Sequence, residues 1–159
     1  MTKAIVSDFS RVLLFLRKED PSVKLNDFHE KKLESGNYDF WHFFRLNEEL
    51  LEFYCQLSKD LPLYIFTTRY IQEYPPVKEK LDPIFTEIFS ARRLGVGKDE
   101  PAAYQLISSK IDCQPSDILY LDDKLANINA AKAVGFQVHR YRNNQELRNF
   151  IKNQKYYLI

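Results

Sequence analysis

Cysteine is scarce: the 159 residues contain only Cys55 and Cys113, and neither sits in a metal-ligand spacing. That argues against a disulfide framework or a thiolate zinc site and suggests free thiols in a reducing compartment. Net charge is nearly absent, a formal +1 at pH 7. A strong electrostatic footprint for nucleic acid or an anionic membrane is therefore missing, and Arg92-Arg93 and the basic residues from Arg140 to Lys155 read as solvated faces. No apolar run approaches the length of a membrane span. Met1-Thr2-Lys3 leads straight into an apolar run without a secretion-signal profile, so a soluble cytoplasmic protein is the expectation. Internal repeats, low-complexity tracts and interdomain linkers are lacking. His29, His42 and His139 have no mutual spacing that suggests a metal or a triad. What is present is a hydrophobic fraction of 45% and an aromatic fraction of 14%, ample for one core in a single domain over residues 1–159.

Three apolar runs each end in a small acidic or hydroxyl residue. Ala4-Ile5-Val6-Ser7 runs into Asp8, Leu63-Tyr64-Ile65-Phe66 into Thr67 and Thr68, and Ile118-Leu119-Tyr120-Leu121 into Asp122 and Asp123. Short unbroken runs of β-branched and aromatic residues suit strands buried on both faces of a parallel sheet. In open α/β sheets the ligand crevice lies at the carboxyl ends of the strands. Side by side, the runs would bring three carboxylates and two hydroxyls to one crevice. Such a cluster needs a proton or a cation to be tolerable, and an oxygen-only donor set suits Mg2+.

The remaining pattern alternates strand and helix, which implies a doubly wound, mostly parallel α/β fold. Residues 12–17 read as an extended arm ending near Asp20-Pro21. Asn26 or Asp27 would cap a short helix to about Glu34. From Asp39 to Lys59 apolar residues recur at three- and four-residue intervals, which predicts one long helix. A short helix fits between Pro75-Pro76 and Asp82-Pro83, and Glu87 to Phe89 forms a strand. Gly95 and Gly97 flank a loop ending at Lys98, and Pro101 opens a helix to Ile111. Ala126 to Val134 is a helix stopped by Gly135. Val138 to Tyr141 forms a strand, and Gln145 to Asn153 a last helix.

Asp8 is typed as a nucleophile: a carboxylate attacking phosphorus splits one hard displacement into two easier ones. DFSRVLL, YIFTT, GVGK and ILYLDD-x3-N-x2-AA-x3-G resemble the four ordered motifs of the haloacid dehalogenase-like (HAD) hydrolase superfamily, over residues 4 to about 141. The resemblance implies a HAD-like Rossmannoid fold with a minimal helical lid, Mg2+ as cofactor and a phosphorylated substrate, small molecule or macromolecule. It makes Asp8 the nucleophile and a metal ligand, with the Ser10 backbone carbonyl also reaching the metal. Thr67 would bind the transferred phosphoryl group, and Lys98 would pair with Asp8 and the phosphoryl oxygens. Asp122 and Asp123 would hold Mg2+, Asp123 directly, with Thr68 and Asn127 in support.

Two positions depart from the pattern. Members usually carry a general acid/base Asp where this chain has Ser10, and a serine hydroxyl titrates far too high for that work. Losing positioned proton transfer typically removes about 10²–10⁴-fold in rate. Arg11 stands where the family normally has Gly, so its side chain either strains a tight turn or reaches the crevice to bind an anion. The insert after the first motif leaves only about residues 26–38 for a lid. A lid that small fits a bulky substrate or a covering second copy of the chain. Phe40, Trp41, Phe43 and Phe44 read as core rather than as a substrate platform. The expected function is slow Mg2+-dependent phosphate monoester hydrolysis through an aspartyl-phosphate on Asp8. The alternative is a catalytically impaired binding or regulatory protein of the same fold. Dehalogenation at carbon ranks below both, because Asp122-Asp123 points to a metal that this chemistry does not need.

Overall fold

The computed structural model describes residues 1–154. Its frame is a five-stranded parallel sheet in the order β5-β4-β1-β6-β7. The strands are β1 (Ala4–Ser7), β4 (Leu63–Thr67), β5 (Glu87–Ser90), β6 (Ile118–Asp122) and β7 (Gln137–Arg140). Two further short strands, β2 (Leu14–Leu16) and β3 (Phe44–Leu46), pair antiparallel as a separate ribbon. The helices are α1 (Leu25–Glu34), α2 (Phe40–Phe43), α3 (Glu48–Leu57), α4 (Pro75–Leu81), α5 (Ala91–Leu94), α6 (Pro101–Lys110), α7 (Leu125–Val134) and α8 (Asn144–Gln154).

Alternation along the strands sends successive side chains to opposite faces, and two cores follow. Ile5, Leu63, Ile65, Leu119 and Leu121 meet Leu50, Leu51, Tyr54 and Leu57 of α3, Val77 and Leu81 of α4, and Leu147 and Ile151 of α8. Ala4, Val6, Tyr64, Phe66, Ile118 and Tyr120 meet Ala103, Tyr104 and Ile107 of α6 and Ile128, Ala130 and Ala131 of α7. Small alanines on α7 let it approach the sheet closely. The helix ends at Gly135, whose φ of 102° needs the freedom of a glycine. The doubly wound arrangement expected from the strand–helix alternation is what the chain forms.

The single helix expected over 39–59 is not. The chain makes α2, then β3, then α3. Phe44 and Leu46 are buried while Arg45 is exposed, so this stretch also satisfies a two-residue period. It pairs with β2 in the register Phe15↔Arg45. Asn47 then caps α3 by accepting from the Leu50 backbone N–H at 3.3 Å, with Glu48 and Glu49 in the first turn. The cap expected for α1 also differs. Lys24 is the N-cap, and the Asn26 side chain is engaged elsewhere, accepting from the Ile71 backbone N–H at 3.3 Å. The extended arm is shorter than expected: only Leu14–Leu16 is strand. Of the aromatic residues expected in the core, Phe40 and Phe44 are buried and stack with centroids 4.5 Å apart, while Trp41 and Phe43 are half-buried and pack against its margin.

The strand order places the crevice. β1 lies between β4 and β6; the chain runs outward from β1 to β4 and β5, then crosses back over β1 to β6 and continues outward to β7, so the direction of winding reverses between β1 and β6. Such a switch point opens a crevice beyond the carboxyl ends of the strands. Asp8 follows β1, Thr67 ends β4 and Asp122 ends β6.

Candidate active site

The structure brings the carboxylates of Asp8, Asp122 and Asp123 together: an oxygen from each lies within 4.8 Å of the others. Asp8 and Asp122 are buried. Lys98 reaches both, its Nζ 2.5 Å from Asp8 Oδ1 and 3.0 Å from Asp122 Oδ2. The lysine is itself buried, at 8% exposure. It is delivered by α5, capped by the Ser90 hydroxyl, and by the turn after Gly95. Its backbone carbonyl accepts from the Tyr104 hydroxyl at 2.6 Å, and its ammonium lies over the Phe66 and Tyr120 rings.

Each carboxylate has a different environment. Asp122 accepts from the Lys124 backbone N–H at 2.8 Å through Oδ1. Through Oδ2 it accepts from Asn127 at 2.9 Å and from the Tyr120 hydroxyl at 2.5 Å. Lys98 and these donors hold its carboxyl below the usual carboxylate range against the cost of burial. Asp8 is the opposite case. Burial, and then the charge of Asp122, push its carboxyl up to about 7 despite Lys98. Asp123 is raised as well, by burial and by Asp122, and its buried Oδ1 has no hydrogen-bond partner among the described residues. Three carboxylates with one lysine and an unpartnered oxygen form a donor set short of positive charge, and an oxygen-ligated divalent cation fits it.

The other expected site residues are placed as follows. Thr67 is buried at the end of β4, beside β1. Thr68 is exposed and lines a cavity of about 310 Å³ together with Lys98. Ser10 lies half-buried in the turn after β1, in a β-bridge to Leu14. Arg11 adopts φ 60°, the left-handed conformation that disfavours a side chain. Its Nη2 donates to the carbonyls of Asp20 at 2.9 Å and Val23 at 2.8 Å, and its Nε lies 3.6 Å from Glu19. Asn127 supports Asp122, as the motif implied. Tyr120, strand core by sequence, also serves the site through its bond to Asp122. Its distance of two residues from Asp122 on one strand was the signal that both side chains share a face.

No protein-family profile matches the chain. Among curated proteins, enolase-phosphatase E1 from Methylococcus capsulatus is 40% identical over 57 residues, covering 36% of this chain and 24% of that protein. The chain thus aligns with only about a quarter of that relative's length. Among solved structures, a HAD family enzyme from Bacteroides thetaiotaomicron, in complex with magnesium and inorganic phosphate, superimposes with a TM-score of 0.68. That match has 13% identity and covers 92% of this chain and 99% of the other. This chain has the HAD fold. A predicted HAD-like family hydrolase from Porphyromonas gingivalis gives a TM-score of 0.70 at 18% identity, covering 96% and 97% of the two chains. The four sequence motifs fall at the carboxyl end of this sheet, at the ends of β1, β4 and β6 and in the loop before α6.

Proposed function

We propose that the chain is a Mg2+-dependent phosphohydrolase that cleaves phosphate monoesters through an aspartyl-phosphate on Asp8. The observation that carries the reading is Lys98 seated between Asp8 and Asp122, with Thr67 at the adjoining strand end. Asp8 Oδ attacks phosphorus as the ester P–O bond breaks, and the leaving oxygen departs with the bonding pair. Lys98 offsets part of the charge of Asp8 and Asp122 in the resting site and would meet phosphoryl oxygens, and the Thr67 hydroxyl would bind the same group. Asp8, Asp122, Asp123 and the Ser10 carbonyl would hold the ion, Asp123 through its unpartnered oxygen. When bound, Mg2+ would offset negative charge on the phosphoryl group. The solved relative that carries magnesium and phosphate on the same fold supports this reading. Residues 26–38 serve as the small lid in this view.

Ser10 sets the pace. It supplies no efficient proton to the leaving group and no base for the water that cleaves the acyl phosphate, so turnover is slow. The test is hydrolysis of p-nitrophenyl phosphate and acetyl phosphate, with and without Mg2+, in the wild type, Asp8→Asn and Ser10→Asp. Turnover that needs both Mg2+ and Asp8 establishes the reading. Ser10 together with the strained Arg11 favours the second reading, a phosphate-binding protein without turnover. Silence in the wild type with activity appearing in Ser10→Asp selects that one.

A further inference from the structure

Beside the carboxylate cluster lies a cavity of about 740 Å³ whose wall includes Asp123, a size suited to a small-molecule ligand. Three arginines line it, Arg11, Arg45 and Arg142, with the neutral polar side chains of Asn47, Asn143, Asn144 and Gln145. Two different parts of the fold supply them. The β2–β3 ribbon turns Leu14 and Leu46 inward, which leaves the opposed pair Phe15 and Arg45 on its other face. The segment after β7 supplies Arg142.

The charge balance of the lining is specific. Its only acids are Asp123 and Glu49. Asp123 belongs to the metal cluster. Glu49 is satisfied by Arg148 at 3.1 Å and by the Asn144 amide at 3.0 Å. Arg45 and Arg142 have no carboxylate among the described residues within ion-pair distance. Arg45 instead lies over Phe15, its guanidinium carbon 4.8 Å from the ring centroid. Such stacking fixes a guanidinium plane and leaves its edge donors free. Arg11 is anchored by the Asp20 and Val23 carbonyls. Arg45, held by its stacking on Phe15, and Arg142 lack an acid of their own, and guanidinium donors in that state are suited to receive a planar or tetrahedral anion.

We infer that this cavity holds the leaving group, and that it selects phosphate monoesters whose leaving group carries a second anionic group, a carboxylate or another phosphate. The inference rests on the phosphohydrolase reading for the placement of the first phosphate. It adds that Arg45 and Arg142 determine specificity.

Non-hydrolysable probes separate it from turnover. Benzylphosphonate, 4-carboxybenzylphosphonate and p-xylylene bisphosphonate are titrated calorimetrically into the wild type with Mg2+ at constant ionic strength, and into the Arg45→Gln/Arg142→Gln double variant. Both arginines are exposed, and a thermal melt checks that the variant is folded. The expected result is about tenfold tighter binding of one or both probes with an anionic tail than of benzylphosphonate, with that preference collapsing in the variant. The stronger of the two tails tells carboxylate from phosphate. Equal affinity for all three probes, a preference that survives in the variant, or no binding of any probe overturns the inference. Phenyl phosphate hydrolysis is read separately, so a selective but inactive protein sinks the catalytic reading alone.

Discussion

The Tyr120 hydroxyl donates to Asp122 Oδ2 at 2.5 Å, deep in the core and two residues back on the same strand. Its proton is held far more tightly than usual by burial and by Asp122. Tyr120→Phe keeps the ring packed against Tyr104 and removes the hydroxyl, with its bond to Asp122 and its contact with the Tyr104 hydroxyl. Partners behind metal ligands typically control about 10–100-fold in metal affinity or activity. Mg2+ titration of Tyr120→Phe is therefore expected to show at least the lower end of that loss. Unchanged affinity would make the hydroxyl a bystander.

Lys98→Met leaves two buried carboxylates, Asp8 and Asp122, without their shared cation. Removing one partner of a buried pair costs about 3–5 kcal/mol. The loss in denaturant midpoint is expected to be large at pH 8 and smaller at pH 5. At the lower pH Asp8, already raised to about 7, is protonated and has little charge left to uncover. Turnover should fall by about 10²–10³-fold, as for other lost electrostatic donors. Equal destabilisation at the two pH values would contradict this account of Asp8.

The pH dependence of metal binding follows from the same group. In the metal-free fold Asp8 keeps a proton up to about 7 that the unfolded chain releases near 3.8. Between those values the folded state binds more protons, so its stability declines as pH rises. Binding a cation needs the ionised carboxylate. Mg2+ affinity should therefore climb from about pH 5.5 to 8. At pH 6 each ion should displace close to one proton, measurable by calorimetry in buffers of different ionisation enthalpy. A flat affinity would remove Asp8 from the ligand set.

Arg11 offers a test of backbone strain. Alanine and glycine at this position both lose the bonds to Asp20 and Val23. Only glycine relaxes the φ of 60°. Arg11→Gly should therefore be more stable than Arg11→Ala by about 1 kcal/mol in chemical denaturation.

Much of the frame was legible in the residues. β1, β4 and β6 are continuous apolar runs, and no amphipathic helix reads that way, so their burial and their acidic or hydroxyl ends could be placed directly. The Asp122-to-Gly135 stretch carried its own spacing, with Asn127 and two alanines on one helix face. The stretch 39–59 carries two periods: Phe40, Phe43 and Phe44 recur at helical spacing, while buried Phe44 and Leu46 flank exposed Arg45 at strand spacing. Only the pairing with Leu14–Leu16, a long-range event, decides between them. The charge state of Asp8 was equally hidden: burial dominates it, and a lone Asp in a sequence reports none. Arg45 and Arg142 are far apart in the chain, so no local pattern could show that they face one cavity.

The tether of α1 has a consequence for traffic. Arg69, next to Thr67-Thr68, pairs with both Asp27 and Glu30 of α1, and Asn26 clasps the backbone of Ile71. In the proposed phosphohydrolase, a lid fastened at three points to the segment that would receive the phosphate would be a doorframe rather than a door. On that reading substrate and product would pass through an opening whose width α1 holds constant.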